Sequence, residues 1–154
     1  MATQEQHKAN DFTPVVAAME HAEYVLHITQ SPKWFHDYSA KESAGNDGRA
    51  TKILVFHDDS LSNIVRAEAR QIYHLTFTAN EINLKRQPWR KGERLSKQAE
   101  AIALCSDMLA DIQLCRRHFH LTAKRIRHWG GMVIALRTAI EHWHESDKDR
   151  YKNI

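Results

Sequence analysis

Eleven histidines and two cysteines are the residues of this 154-residue chain best suited to chemistry. The histidines include two close pairs, His118-Phe119-His120 and His142-Trp143-His144. Residues two apart on a helix project about 200° from each other, so neither pair turns both imidazoles toward one ion, an argument that weakens if His118 and His120 end a helix. There is no pair of Glu-x-x-His motifs of the kind that di-iron bundles use, and no cysteine pair at zinc spacing. Surface or helix-capping histidines are the simpler reading, and neither metal nor cofactor is expected. Cys105 and Cys115 fall in one expected helix, about 15 Å apart at ~1.5 Å per residue, too far for a disulfide. His57-Asp58-Asp59 has the composition of an acid/base or metal constellation, but it precedes a helix that needs a cap, which favours a structural role. Phosphate-cradling glycine loops, nucleophile elbows and zinc-protease motifs are all missing. No catalytic residue is expected, and the chain reads as a non-enzyme.

The cations are more suggestive. Residues 82–97 hold six bases against Glu93 alone, and 116–128 hold five bases with no acid, whereas residues 1–50 hold seven acids against four bases. In the first basic segment Lys85, Arg86, Arg90, Lys91 and Arg94 surround Trp89. An aromatic among cations suits single-stranded nucleic acid, the ring stacking on a base while the cations track phosphates. Alternatively, Trp89 tucks back onto the protein and its neighbours are solvated. Arg116, Arg117, Lys124, Arg125 and Arg127 form the second cluster. Both clusters are candidate nucleic-acid contacts, and the uneven charge calls for an anionic partner.

Four helices are needed to position these groups. Helix one is expected from a Thr13 cap with Pro14 in its first turn, presenting Val15, Met19, Ala22, Leu26 and Thr29 inward and ending at Ser31-Pro32. Residues 33–58 have no helical period and read as a long loop, within which Ile53 to Phe56 is apolar enough for a strand or a packed segment. Helix two, from an Asp59 or Ser60 cap to Asn80, turns Leu61, Val65, Ala69, Ile72, Leu75, Thr76 and Ala79 inward. Helix three, about Glu93 to His118, does so with Leu95, Ala99, Ile102, Cys105, Leu109 and Ile112, flanked by Leu104 and Met108. Helix four begins at a Thr122 cap with a Leu121–Ile126 staple, and Ile126, Trp129, Val133, Leu136, Ile140 and Trp143 make a coiled-coil-like seam. Gly130-Gly131 in mid-helix costs roughly 1 kcal/mol per residue relative to Ala; close approach of another helix is the simplest explanation, and an exposed pair that merely weakens the helix is the alternative. The fold class is therefore all-α, an antiparallel up-down four-helix bundle with a long loop between helices one and two. It is one domain over residues 1–154, with 1–10 a flexible N-terminus and 146–154 a C-terminal tail. No membrane-length apolar run and no leader-like N-terminus occur, so a cytoplasmic location is expected.

The C-terminal run Trp143-His144-Glu145-Ser146-Asp147-Lys148-Asp149-Arg150-Tyr151 resembles the end of the accessory variability determinant proteins of diversity-generating retroelements. Thr78-Ala79-Asn80-Glu81 is similar to the family's motif closing helix two, and Leu121-Thr122-Ala123-Lys124 and Thr29-Gln30-Ser31-Pro32-Lys33 match in character. The likeness spans the chain except about 34–56, which is longer than the family pattern. It implies a homopentameric four-helix bundle that binds a reverse transcriptase and contacts template RNA and complementary DNA. Two other readings stand beside it: a bundle of the ribosomal intervening-sequence type acting as an interaction module, and a His-rich metal-binding bundle.

Overall fold

Apolar residues recurring every three or four positions give four helices in a computed structural model that describes residues 12–31, 34–35 and 60–154. They are α1 (Thr13–Thr29), α2 (Ser60–Glu81), α3 (Lys91–Phe119) and α4 (Ala123–Arg150), with a 3-10 turn at Pro88–Arg90. Residues 1–10, most of the 33–58 loop including Ile53 to Phe56, and His57-Asp58-Asp59 lie outside the described residues. Each helix packs on the next and α1 also meets α4, so the four form a closed up-down-up-down bundle. Among the described residues no helix is long and apolar enough to cross a membrane.

α4 follows its sequence most closely. The Thr122 hydroxyl accepts the Arg125 N–H at 3.3 Å, and Leu121 and Ile126 are both buried as a staple requires. All six residues of the expected seam are buried, and the same rhythm continues one step further to Asp147. Ser146–Arg150 is accordingly helix rather than tail, because Asp147 is held inside the bundle by two donors from α3. α2 buries the expected set, with Leu61 only half-buried.

α1 and α3 are turned differently from their expected stripes. Phe12, not Thr13, is the N-cap of α1, without a side-chain cap; its ring meets the Trp143 ring edge-on at 5.0 Å, and that contact sets how the chain enters the helix. The buried positions are Pro14, Val15, Ala18, His21, Val25, Ile28 and Thr29, while Met19 and Leu26 are 39% and 50% exposed. α1 carries apolar residues on two adjacent faces, and the face bearing His21 wins because the imidazole accepts the Trp129 indole N–H. In α3 the buried positions are Arg94, Gln98, Ala101, Cys105, Met108, Ile112, Cys115 and Phe119, a strict alternation of four and three. Ala99 is exposed, and Leu95, Ile102 and Leu109 are half-buried, because α3 buries two polar side chains that an apolar stripe leaves out.

Beyond the local backbone of α4, nothing among the described residues comes within 4 Å of where a Cβ at Gly130 or Gly131 would sit, so close helix approach does not explain the pair. Gly131→Ala should raise stability by about 0.5–1 kcal/mol in chemical denaturation. A loss of stability instead would mean that something packs on this face.

Candidate nucleic-acid interface

The five cations of the second cluster meet where α3 hands over to α4. Arg116, Arg117 and His118 occupy the last turn of α3, where the helix dipole favours positive charge. His120 takes a left-handed conformation (φ 52°), and the N–H groups of His120 and Leu121 both donate to the Arg116 carbonyl, so the chain reverses within three residues. Lys124, Arg125 and Arg127 then fall on the first two turns of α4, the end of a helix at which the dipole disfavours cations. No acid occurs anywhere from Ile112 to Ile140. Arg116, Arg117, Lys124 and Arg127 are exposed; Arg125 is half-buried, with its guanidinium 5.0 Å from the centre of the Trp34 ring. Trp34 and Phe35 pack against Tyr24, Phe119 and Trp129, which gives this end an aromatic floor. Concentrated positive charge at a helix N-terminus, uncompensated in sequence, is suited to binding phosphate.

The first cluster lies at the opposite end. α3, with its 29 residues, separates the two by about 40 Å, so the sequence-predicted residues form two surfaces and not one. The α2–α3 loop is anchored by buried Ile82 and Leu84, and Asn83 Oδ1 accepts the Lys85 N–H at 3.0 Å. Trp89 is 75% exposed, so it does not tuck back onto the described bundle, and Lys85 and Arg86 beside it are exposed too. Their neighbours are committed elsewhere. Arg90 makes a two-pronged ion pair with Glu93, and Lys91 Nζ donates to the Tyr151 carbonyl at 2.6 Å. Arg94 is buried, with Nε donating to Asp147 at 2.7 Å and Nη1 to the Ile82 carbonyl at 2.7 Å. It is a core residue and no part of the exposed basic surface around Trp89, because the seam of α3 turns it toward Asp147.

No family model, curated protein or solved structure matches this chain. Residue chemistry must therefore carry the reading. Cys105 and Cys115 are buried reduced thiols, each pushed up to about 12 by burial, so neither is a thiolate nucleophile near neutral pH. Among the described residues no group of three His, Cys, Asp or Glu side chains is arranged to hold a metal ion. His144 donates Nδ1–H to Gln98 Oε1 at 2.8 Å, since Gln98 uses its amide nitrogen on Asp147. Glu68 is the remaining unusual group: its carboxyl oxygens are buried, and burial, aided by the neighbouring carboxyl groups of Asp111 and Asp107, pushes it up to about 9.

Two features escaped the apolar pattern. One is the Arg94–Asp147–Gln98 network, which the seam of α4 signals once it is extended by one step. The other is a groove of about 400 Å³ between α1 and α2, with Met19, Leu26 and Tyr73 among its walls. Phe77, one turn beyond Tyr73, is 44% exposed. Met19 and Leu26 are expected in the core from their apolar spacing, and the structure places them on this groove instead.

Proposed function

We propose that this protein is a non-catalytic accessory subunit that holds RNA or complementary DNA beside a reverse transcriptase, as the retroelement accessory proteins it resembles do. The observation that carries the nucleic-acid part is the set of exposed cations Arg116, Arg117, Lys124 and Arg127 around one helix-to-helix turn, in a stretch with no acid from Ile112 to Ile140. Exposed Trp89, with Lys85 and Arg86, supplies a second contact suited to stacking on an unpaired base. The reverse transcriptase and the pentamer rest on the resemblance. The apolar groove between α1 and α2 supports self-association, because burial of Met19, Leu26 and Phe77 against another subunit removes their exposure. It equally favours the interaction-module reading, in which a protein partner alone fills it.

Charge reversal tests the assignment. Arg116, Arg117, Lys124 and Arg127 changed together to Glu should abolish retention on single-stranded RNA while circular dichroism keeps its helical signal. Retention equal to that of the wild type refutes it. Light scattering on the same samples reads the subunit number, and a monomer at moderate salt removes the pentamer.

A further inference from the structure

We propose that a cavity at the far end of the bundle from Arg116 and Arg127 binds a phosphate-bearing ligand about the size of one nucleotide. The cavity measures about 430 Å³, within the roughly 300–1,000 Å³ typical of small-ligand sites and far larger than a bare oxyanion needs. It opens where the first turn of α1, the end of α2, the start of α3 and the end of α4 converge. Asn80, Arg94, His142, Ser146 and Arg150 bring hydrogen-bond donors to its wall.

The donors are not used up internally. Arg94 is 9% exposed and spends Nε on Asp147 and Nη1 on the Ile82 carbonyl, which leaves Nη2 without a bond among the described residues. Asp147 is the one acid on the wall; it is 1% exposed, and its Oδ2 already takes donors from Arg94 and Gln98. Its charge is thus matched by Arg94, and the exposed Arg150 guanidinium makes the rim positive. A guanidinium pinned in place by a carboxylate, a carbonyl and the Trp143 ring 5.4 Å away is preorganised, so it meets an anion with little further loss of side-chain freedom. Phosphate fits better than carboxylate because it offers three acceptor oxygens to donors arriving from α2, α3 and α4. Phe12, Pro14, Ala139 and Trp143 give the cavity an apolar side suited to a sugar or base.

Titration calorimetry on the full chain at constant ionic strength tests the site with three probes: inorganic phosphate, a nucleoside monophosphate and a short 5′-phosphorylated RNA. The monophosphate is expected to bind at least about tenfold more tightly than inorganic phosphate, and Arg150→Ala to weaken it by about tenfold, as loss of a charge-assisted bond implies. Arg150 is exposed on the last turn of α4, so this change leaves the fold intact, whereas Arg94 would not serve. Tighter binding of the 5′-phosphorylated RNA than of its unphosphorylated form identifies a strand end as the source; preference for the free monophosphate identifies a soluble nucleotide. No binding by any probe in the millimolar range overturns the proposal. So does an affinity that survives Arg150→Ala, or inorganic phosphate binding as well as the nucleotide. The protein carrying Glu at 116, 117, 124 and 127 keeps this site, so failure here and failure of strand retention are separate results.

Discussion

Asp147→Asn is expected to destabilise the protein by about 3–5 kcal/mol, which is a large part of the roughly 5–15 kcal/mol that holds a domain of this size together. The carboxylate is 1% exposed and accepts from Arg94 Nε at 2.7 Å and Gln98 Nε2 at 2.6 Å. Removing its charge leaves a guanidinium inside the bundle without a counter-ion, since the Asn amide oxygen, the Ile82 carbonyl and the Trp143 ring touch it but carry no formal negative charge. The cost comes mostly from that stranded charge, not from the net worth of the pair, since two desolvated ions recover little beyond what they lost on leaving water. A double replacement, Asp147→Leu with Arg94→Met, should therefore recover most of the loss. Urea denaturation of the three proteins reads this directly. A loss below about 1 kcal/mol for Asp147→Asn would mean that water screens the pair, as it does for surface ion pairs.

Acid is expected to remove about 3 kcal/mol of stability through His21 alone. This imidazole is 1% exposed, accepts the Trp129 indole N–H on Nε2 at 3.2 Å, and has no partner for Nδ1 among the described residues. Burial holds it down at about 4 against an ordinary 6.5. Between those values the unfolded chain takes up a proton that the folded chain refuses, so stability is complete above about pH 6.5, falls as the pH drops, and its His21 share is gone below about pH 4. Glu68 acts in the opposite sense. Its raised carboxyl keeps a proton that the unfolded chain releases, so its contribution fades as the pH rises from the ordinary carboxylate range through about 9. His21→Leu separates the two. At pH 7.5 it should be less stable than the wild type by about 1–3 kcal/mol, because the Trp129 N–H loses its acceptor. Near pH 4.5 the gap should close or reverse. A constant gap across that range would show that His21 does not carry the acid response.

The four-helix architecture was legible because α2 and α4 each bury one unbroken apolar stripe, with a capping threonine before α4. α3 was read one step out of register because only apolar residues were counted as inward. Arg94 and Gln98 lie on its true seam, and they become tolerable inside only through Asp147, which is 53 and 49 residues away in sequence, respectively. No local pattern reveals a partner at that distance. α1 was misread for a related reason: it has two adjacent apolar faces, and the choice between them depends on Trp129, over a hundred residues later. The basic residues of the candidate site were visible as charge, but their division between opposite ends follows from antiparallel topology and the length of α3. Arg94 illustrates the limit most clearly. In sequence it is one more cation beside Trp89, and in the fold it belongs to the core.

The central claim is that the turn between α3 and α4 binds a nucleic-acid backbone through charge. Its most direct test is the salt dependence of affinity for single-stranded RNA, measured for the wild type and for a variant with Arg116, Arg117, Lys124 and Arg127 all changed to Ala. Each cation on a phosphate releases counterions and adds about 0.7 to the slope of log affinity against log salt for single strands. Four lost contacts should therefore flatten the slope by about 3, with the largest drop in affinity at low salt. An unchanged slope and affinity in the variant would contradict the account and remove this end of the bundle from nucleic-acid binding.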